Sequence, residues 1–293
     1  PCWTIRSTCW AGPVVPSRDV SADLIRLAAG SHEILVEPAR GLRAVSWSYE
    51  GLQVLAHHGD DPVEYGMYPM APWAGRVRGN VVDGPDGPVS LPISYAEWAL
   101  HGTALAAAMT VVEQRDGHVR ATVPTPAWWP WPCTIEVAWE LSEDEVQTEI
   151  AVHSRVAGCP AVVGWHPWFR RDLGTGRPVE WSLAAVEQAE RGEDHLPTGS
   201  RIAFDADAGP FDDAFVVPTG RAALEWPGAL RIDVESNADW YVVYDEQPAT
   251  VCFEPQSGPP DGLRPDSVRP VQLAGPGAPV RLVNRWRLRR LED

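Results

Sequence analysis

Short runs of alternating apolar and polar residues, each ended within a few positions by glycine or proline, constrain this chain most. Ile25-Arg26-Leu27, Glu33-Ile34-Leu35-Val36-Glu37, Leu42-Arg43-Ala44-Val45-Ser46-Trp47 and Gln53-Val54-Leu55 are separated by Gly30, Pro38, Gly41 and Gly51. Alternation sends successive side chains to opposite faces of a strand, and the punctuation turns the chain. Similar runs recur at 81–82, 118–123, 134–141, 146–153, 202–204, 214–217, 229–235, 240–244 and 280–288, and helical periodicity is scarce. Val137 to Leu141 and Val146 to Ile150, joined by Ser142-Glu143-Asp144-Glu145, read as a hairpin with a solvated acidic turn. Twenty-nine prolines and 25 glycines suit many strands on tight connections, so the expectation is all-β: one large antiparallel domain.

At 293 residues the chain is within the reach of a single all-β domain. Residues 1–20 lack periodicity and are read as an N-terminal extension with no predictable order, leaving 21–293 as the domain. With 44% hydrophobic residues, 22% charged and no apolar run near the ~20 residues of a membrane helix, a soluble protein is expected. A net charge of −16 argues against nucleic acid and acidic membranes, and favours neutral or cationic small molecules. Cysteines at 2, 9, 133, 159 and 252 match neither a dense disulfide framework nor a zinc spacing, so they are read as mostly reduced. No signal-like segment opens the sequence, which makes the cytoplasm the default location. Fifteen tryptophans is an unusual count; most are expected in the core, but flat aromatic faces also line sugar clefts, so the count raises the prospect of a carbohydrate site.

Five loci set polar residues among aromatics and prolines. In Val251-Cys252-Phe253-Glu254-Pro255-Gln256-Ser257-Gly258 a buried strand is expected to end at Phe253, leaving Glu254 at the strand end. A partly buried carboxylate becomes more basic, as a general base requires; the alternative is a turn cap or an arginine partner. His166, between Trp165 and Pro167, is either a proton donor tuned near neutral pH or a buried imidazole satisfied by backbone. His101 precedes Gly102 in a tight turn. Arg76, after Pro72-Trp73-Ala74-Gly75, either aims its fork at hydroxyl oxygens or forms a surface ion pair. Asp212 either grips vicinal hydroxyls or turns the chain, and Asp213 on an extended segment should point the other way.

Elsewhere, His57-His58 with Asp60 and Asp61 favours a loop over a metal site, since adjacent histidines on an extended chain diverge. Neither a phosphate-binding glycine loop nor a Gly-Xaa-Ser-Xaa-Gly elbow is present. Trp128-Trp129-Pro130-Trp131 is core edge or a sugar platform, with the core edge favoured.

In order along the chain, Pro72-Trp73-Ala74-Gly75-Arg76-Val77, Leu100-His101-Gly102, Gly164-Trp165-His166-Pro167-Trp168-Phe169, Asp212-Asp213-Ala214-Phe215 and Phe253-Glu254-Pro255-Gln256-Ser257-Gly258-Pro259-Pro260 resemble the aldose 1-epimerase (mutarotase) family over residues 25–288. The resemblance implies a large antiparallel β-sandwich of the galactose mutarotase-like type, a monosaccharide cleft, no cofactor and no metal. It also implies Glu254 as base, His166 as acid, and Arg76, His101, Asp212, Trp168 and Gln256 around the sugar. Three positions depart from the family's pattern: Gly75 where asparagine is frequent, Trp168 where tyrosine is common, and Asp213 where many members carry histidine. The function expected is interconversion of the α and β anomers of a free aldohexose such as glucose or galactose, by a monomer or homodimer. The alternatives are a sugar-binding or sensing protein without chemistry and a glycoside-active enzyme using Asp212 as a second carboxylate.

Overall fold

The structure is a computed structural model that describes residues 24–57 and 61–291; the expected extension, Cys2, Cys9, His58 and Asp60 lie outside the described residues. The described helices are three-residue 3-10 turns, Pro38–Arg40, Arg78–Asn80, Ala104–Ala106 and Ala206–Ala208, and the fold is all-β as expected.

An eleven-stranded sheet runs Ile25–Ala29, His32–Glu37, Arg43–Tyr49, Met67–Met70, Gly164–Arg170, Thr250–Gln256, Trp240–Tyr244, Asp212–Val216, Glu187–Arg191, Pro197–Ala203, with Leu52–Gln53 paired to Arg43–Tyr49. An eight-stranded sheet runs Glu180–Leu183, Arg221–Trp226, Leu230–Ser236, Val280–Arg290, Val146–Ser154, Cys133–Leu141, His118–Pro124, Thr110–Arg115. The strands pair antiparallel, and the inner faces meet through aromatic rings. Trp139 meets Trp165 edge-on at 4.9 Å, Trp47 meets Trp286 at 6.1 Å, and Phe169 contacts Trp226 and Trp286. One core cluster spans both sheets, as in a β-sandwich. The acidic hairpin forms as expected, with Leu141 opposite Val146 and Ser142 N–H donating to Glu145 O at 2.8 Å.

Two expectations shift. The strand expected at 202–204 is Pro197–Ala203, with Pro197 as the first residue of an edge strand, where a missing N–H costs no ladder bond. The strand carrying Glu254 does not end at Phe253 but continues to Gln256. Pro255 is tolerated because the ladder to Gly164–Arg170 is open there: pairing is kept at Gly164↔Gln256 and Trp168↔Cys252 and interrupted between them. In that interval Pro167 and Pro255, one on each strand, have no N–H to give.

Trp129 and Trp131 are buried, and Trp129 stacks on Trp73 at 5.6 Å, so this cluster is core edge.

Candidate active site

The register through Gly164↔Gln256 and Trp168↔Cys252 sets His166 directly opposite Glu254. On the outer neighbours His166 pairs with Tyr68, Glu254 with Val242, and Val242 with Ala214. Tyr68, His166, Glu254, Val242 and Ala214 therefore form one row across five adjacent strands. Side chains opposite one another in a sheet lie close enough to interact. His166 Nε2 is 3.3 Å from Glu254 Oε1. Glu254 Oε2 accepts from Gln256 Nε2 at 3.0 Å, two residues along the same face.

Aromatic rings fix the imidazole in place. Tyr68 stacks on His166 at 4.8 Å, Trp168 stacks at 5.4 Å, and His101 meets it edge-on at 4.9 Å. Behind Tyr68 lies Arg43, fully buried, its guanidinium 4.5 Å from the ring centre of Tyr65 and 4.8 Å from that of Tyr68. Burial, aided by the charge of Arg43, lowers His166 to about 3. This corrects the expectation of a histidine tuned near neutrality, because the setting is much drier than one Trp and one Pro neighbour suggested. Burial, aided by Asp212, pushes Glu254 well above the usual carboxylate range, as expected of a base. Both shifts oppose charge, so across the interval between them the pair holds a single proton.

His101 has a positive φ of 58°, and its Nδ1 accepts from Gly75 N–H at 3.2 Å. Burial keeps His101 well below its ordinary value. A neutral imidazole whose Nδ1 accepts carries its proton on Nε2, which makes His101 a donor. Gly75 itself has φ +73°, and a Cβ there would lie 2.7 Å from Pro260 Cβ. Pro260 fills the space an asparagine side chain would need. Gly75→Ala is expected to cost ~1–3 kcal/mol through strain and overpacking, read as a lowered midpoint in chemical denaturation; an unchanged midpoint would show that Pro260 yields freely.

Asp212 Oδ2 lies 3.5 Å from Arg76 Nη1 and 3.4 Å from Arg191 Nη1. Asp213 does not escape this cluster as alternation predicted: Arg191 Nε reaches its Oδ1 at 3.3 Å, so one fork spans both carboxylates. The sequence does not single out Arg191, because nothing within Glu190-Arg191-Gly192-Glu193 distinguishes it from a solvated turn.

Arg76, His101, His166, Trp168, Asp212, Glu254 and Gln256 all line one cavity of about 430 Å³, so the structure brings every expected site residue together. The loop bearing Tyr95 and Trp98 adds an aromatic wall. Among the described residues, His166, Cys252 and Glu254 each offer one metal-ligating atom, all within 4.8 Å. The nitrogen and carboxylate of that trio already face each other and Gln256, and burial pushes the Cys252 thiol well up. The arrangement suits proton exchange between a carboxyl and an imidazole over a small polar molecule.

The fold and cleft define a galactose mutarotase-like β-sandwich with a His166–Glu254 pair in its cleft. Residues 44–272, well over half of the chain, match the family described as aldose 1-epimerase, and the chain belongs to that family. Among solved structures it is similar to a putative aldose 1-epimerase from Escherichia coli K12, with a TM-score of 0.80 at 18% identity, covering 92% of this chain and 99% of that one. A galactose mutarotase-like protein from Clostridium acetobutylicum aligns with a TM-score of 0.80 at 17% identity over 92% of this chain and 95% of its own. Galactose 1-epimerase from Lactobacillus acidophilus NCFM aligns with a TM-score of 0.72 at 15% identity over 94% and 98%. No curated protein sequence matches at a significant level. Among the described residues no helix is long and apolar enough to cross a membrane.

Proposed function

We propose that this protein is an aldose 1-epimerase that interconverts the α and β anomers of a free aldohexose. The observation that carries the reading is the 3.3 Å approach of His166 Nε2 to Glu254 Oε1 in the sugar-sized cleft. In the reactive arrangement the Glu254 carboxylate takes the proton of the anomeric hydroxyl as His166 delivers one to the ring oxygen. The C1–O5 bond breaks, the C1–C2 bond rotates in the open aldehyde, and the reverse transfers close the ring on the other face. His101 donates to a sugar oxygen, Asp212 accepts from hydroxyls, Arg76 orients both, and Trp168 offers an aromatic edge. Gln256 steadies the carboxylate. Among the described residues one large core cluster joins both sheets, which supports reading residues 21–293 as one domain.

Arg76 and Arg191, the arginines that line the cleft among the described residues, are both engaged by Asp212 and Asp213, so neither guanidinium is left to a phosphate or carboxylate, and an uncharged sugar fits best. The same pairing supports a binding role for Asp212 over that of a second catalytic acid for glycoside cleavage.

Polarimetry of freshly dissolved α-glucose and α-galactose tests the reading. Acceleration of at least one above the uncatalysed rate is expected, and no acceleration of any aldohexose would leave a binding protein. Because the dyad keeps one proton between the lowered His166 and the raised Glu254, kcat/KM is expected to stay flat through the weakly acidic range. A break near pH 6.5, the value of an ordinary histidine, would contradict that assignment.

A further inference from the structure

Away from the cleft, two cysteines from different parts of the fold meet. Cys133 opens the strand Cys133–Leu141 of the eight-stranded sheet, and Cys159 lies in the short strand Cys159–Pro160, which pairs with Leu273–Ala274. Their Sγ atoms are 3.1 Å apart, and the side chains are buried, Cys133 at 5% exposure and Cys159 at 0%. That separation is a direct sulfur-to-sulfur contact, tighter than apolar packing requires, and it brings together two thiols 26 residues apart. The third described cysteine, Cys252, is buried beside the dyad and is not part of the contact.

We propose that Cys133 and Cys159 are an oxidative modification site that closes to an intramolecular disulfide by exchange with a small-molecule disulfide. The Cys133 thiolate attacks one sulfur of the reagent RSSR, the S–S bond breaks, and RS⁻ leaves, taking the proton that Cys133 gave up. The Cys159 sulfur then attacks the Cys133 sulfur of the mixed disulfide and expels a second RS⁻, which takes the Cys159 proton. Two protein thiols are oxidised and RSSR is reduced to two RSH. Cys133 is the attacking residue because it keeps some exposure. Its contact with Cys159 lowers its pKa to about 7, and the same contact raises that of Cys159.

The bond would matter to the cleft through the chain that follows Cys159. Val162 N–H donates to Pro72 O, and Val163 N–H donates to Ser257 Oγ at 2.9 Å, just before the strand that carries His166. A cystine at Cys159 ties this junction of the 72–76 turn, the His166 strand and the exit of the Glu254 strand to the second sheet. Its effect falls on stability, because neither sulfur lines the cleft.

The test is to incubate the whole folded protein with glutathione disulfide, block remaining thiols by alkylation, digest without reduction and map peptides by mass. One crosslinked pair joining the Cys133 and Cys159 peptides is expected, two hydrogen masses below their sum and abolished by reduction. The oxidised wild type should melt ~2–10 °C above the reduced form, and Cys133→Ser and Cys159→Ser should show no such rise. Recovery of both peptides fully alkylated would overturn the proposal, as would stable glutathione adducts on either cysteine or an equal melting rise in the serine variants.

Discussion

Glu254→Gln is expected to slow mutarotation by ~10²-fold or more and, in the same molecule, to raise thermal stability. The rate loss follows from removing the base while keeping its shape, since the amide can still meet Gln256. The stability gain follows from burial. Glu254 is 2% exposed, and its folded-state pKa is raised well above that of a free carboxyl. From about pH 4.3 upward the unfolded chain releases a proton that the folded chain retains, so the folded state loses stability until pH passes the raised value. Gln removes that loss. His166 contributes with the opposite sign: its pKa is lowered to about 3, so the unfolded chain binds a proton below about pH 6.5 that the folded chain refuses, and stability falls as pH falls. The substitution leaves this second effect in place. The melting difference between Glu254→Gln and wild type should therefore be near zero at about pH 4 and grow towards neutrality. Near-normal turnover would sink the catalytic assignment. A melting gain independent of pH would sink the electrostatic account while leaving the base in place.

The elements most legible in the sequence were those with one dry face. Strands such as Trp240–Tyr244 and Val146–Ser154 came within a residue of their expected limits because period-two alternation is fixed by the sheet itself. The Glu254 strand runs past its expected end at Phe253 to Gln256 for a physical reason. Proline is excluded from a ladder only where its N–H would be needed, and here Pro255 falls opposite Trp165 and Pro167 opposite Phe253 within an opened stretch. No local signal announces that a partner strand carries a matching gap. The site residues were legible through their order and motif context, which drew Arg76, His101, His166, Asp212 and Glu254 towards one reading. Arg191 and Arg43 were not legible. Arg191 ends the strand Glu187–Arg191 in a stretch, Glu190-Arg191-Gly192-Glu193, that reads locally as a solvated turn, and Arg43 sits in an ordinary alternating run, Leu42-Arg43-Ala44. Arg43 is fully buried against Tyr65 and Tyr68 and helps keep neutral His166, which lies on a strand far along the chain, Gly164–Arg170. Charges set by long-range packing leave no trace in a local pattern. The protonation of the dyad was therefore the least predictable property of the site, although its two residues were among the easiest to find.

The largest expected loss of stability lies one residue from the chemistry, at Trp165. On the strand Gly164–Arg170 successive side chains alternate, so His166 turns to the cleft and Trp165 turns to the other sheet. Trp165 is fully buried and meets Trp139 of the eight-stranded sheet edge-on at 4.9 Å. Trp165→Ala should cost ~3–5 kcal/mol, combining lost transfer energy with a cavity that the flanking rings cannot fill. Trp165→Phe, which keeps a ring against Trp139, should recover much of that loss. Chemical denaturation gives the stability, and polarimetry corrected for the folded fraction gives the activity. If one face holds the sheets together and the other carries out the reaction, Trp165→Ala will be unstable yet retain far more activity per folded molecule than Glu254→Gln, which will be stable and slow. A Trp165→Ala protein as stable as wild type would refute the packing role. One that folds but is as inactive as Glu254→Gln would mean that the position of His166 depends on the core face of its own strand, and that the two faces are mechanically coupled.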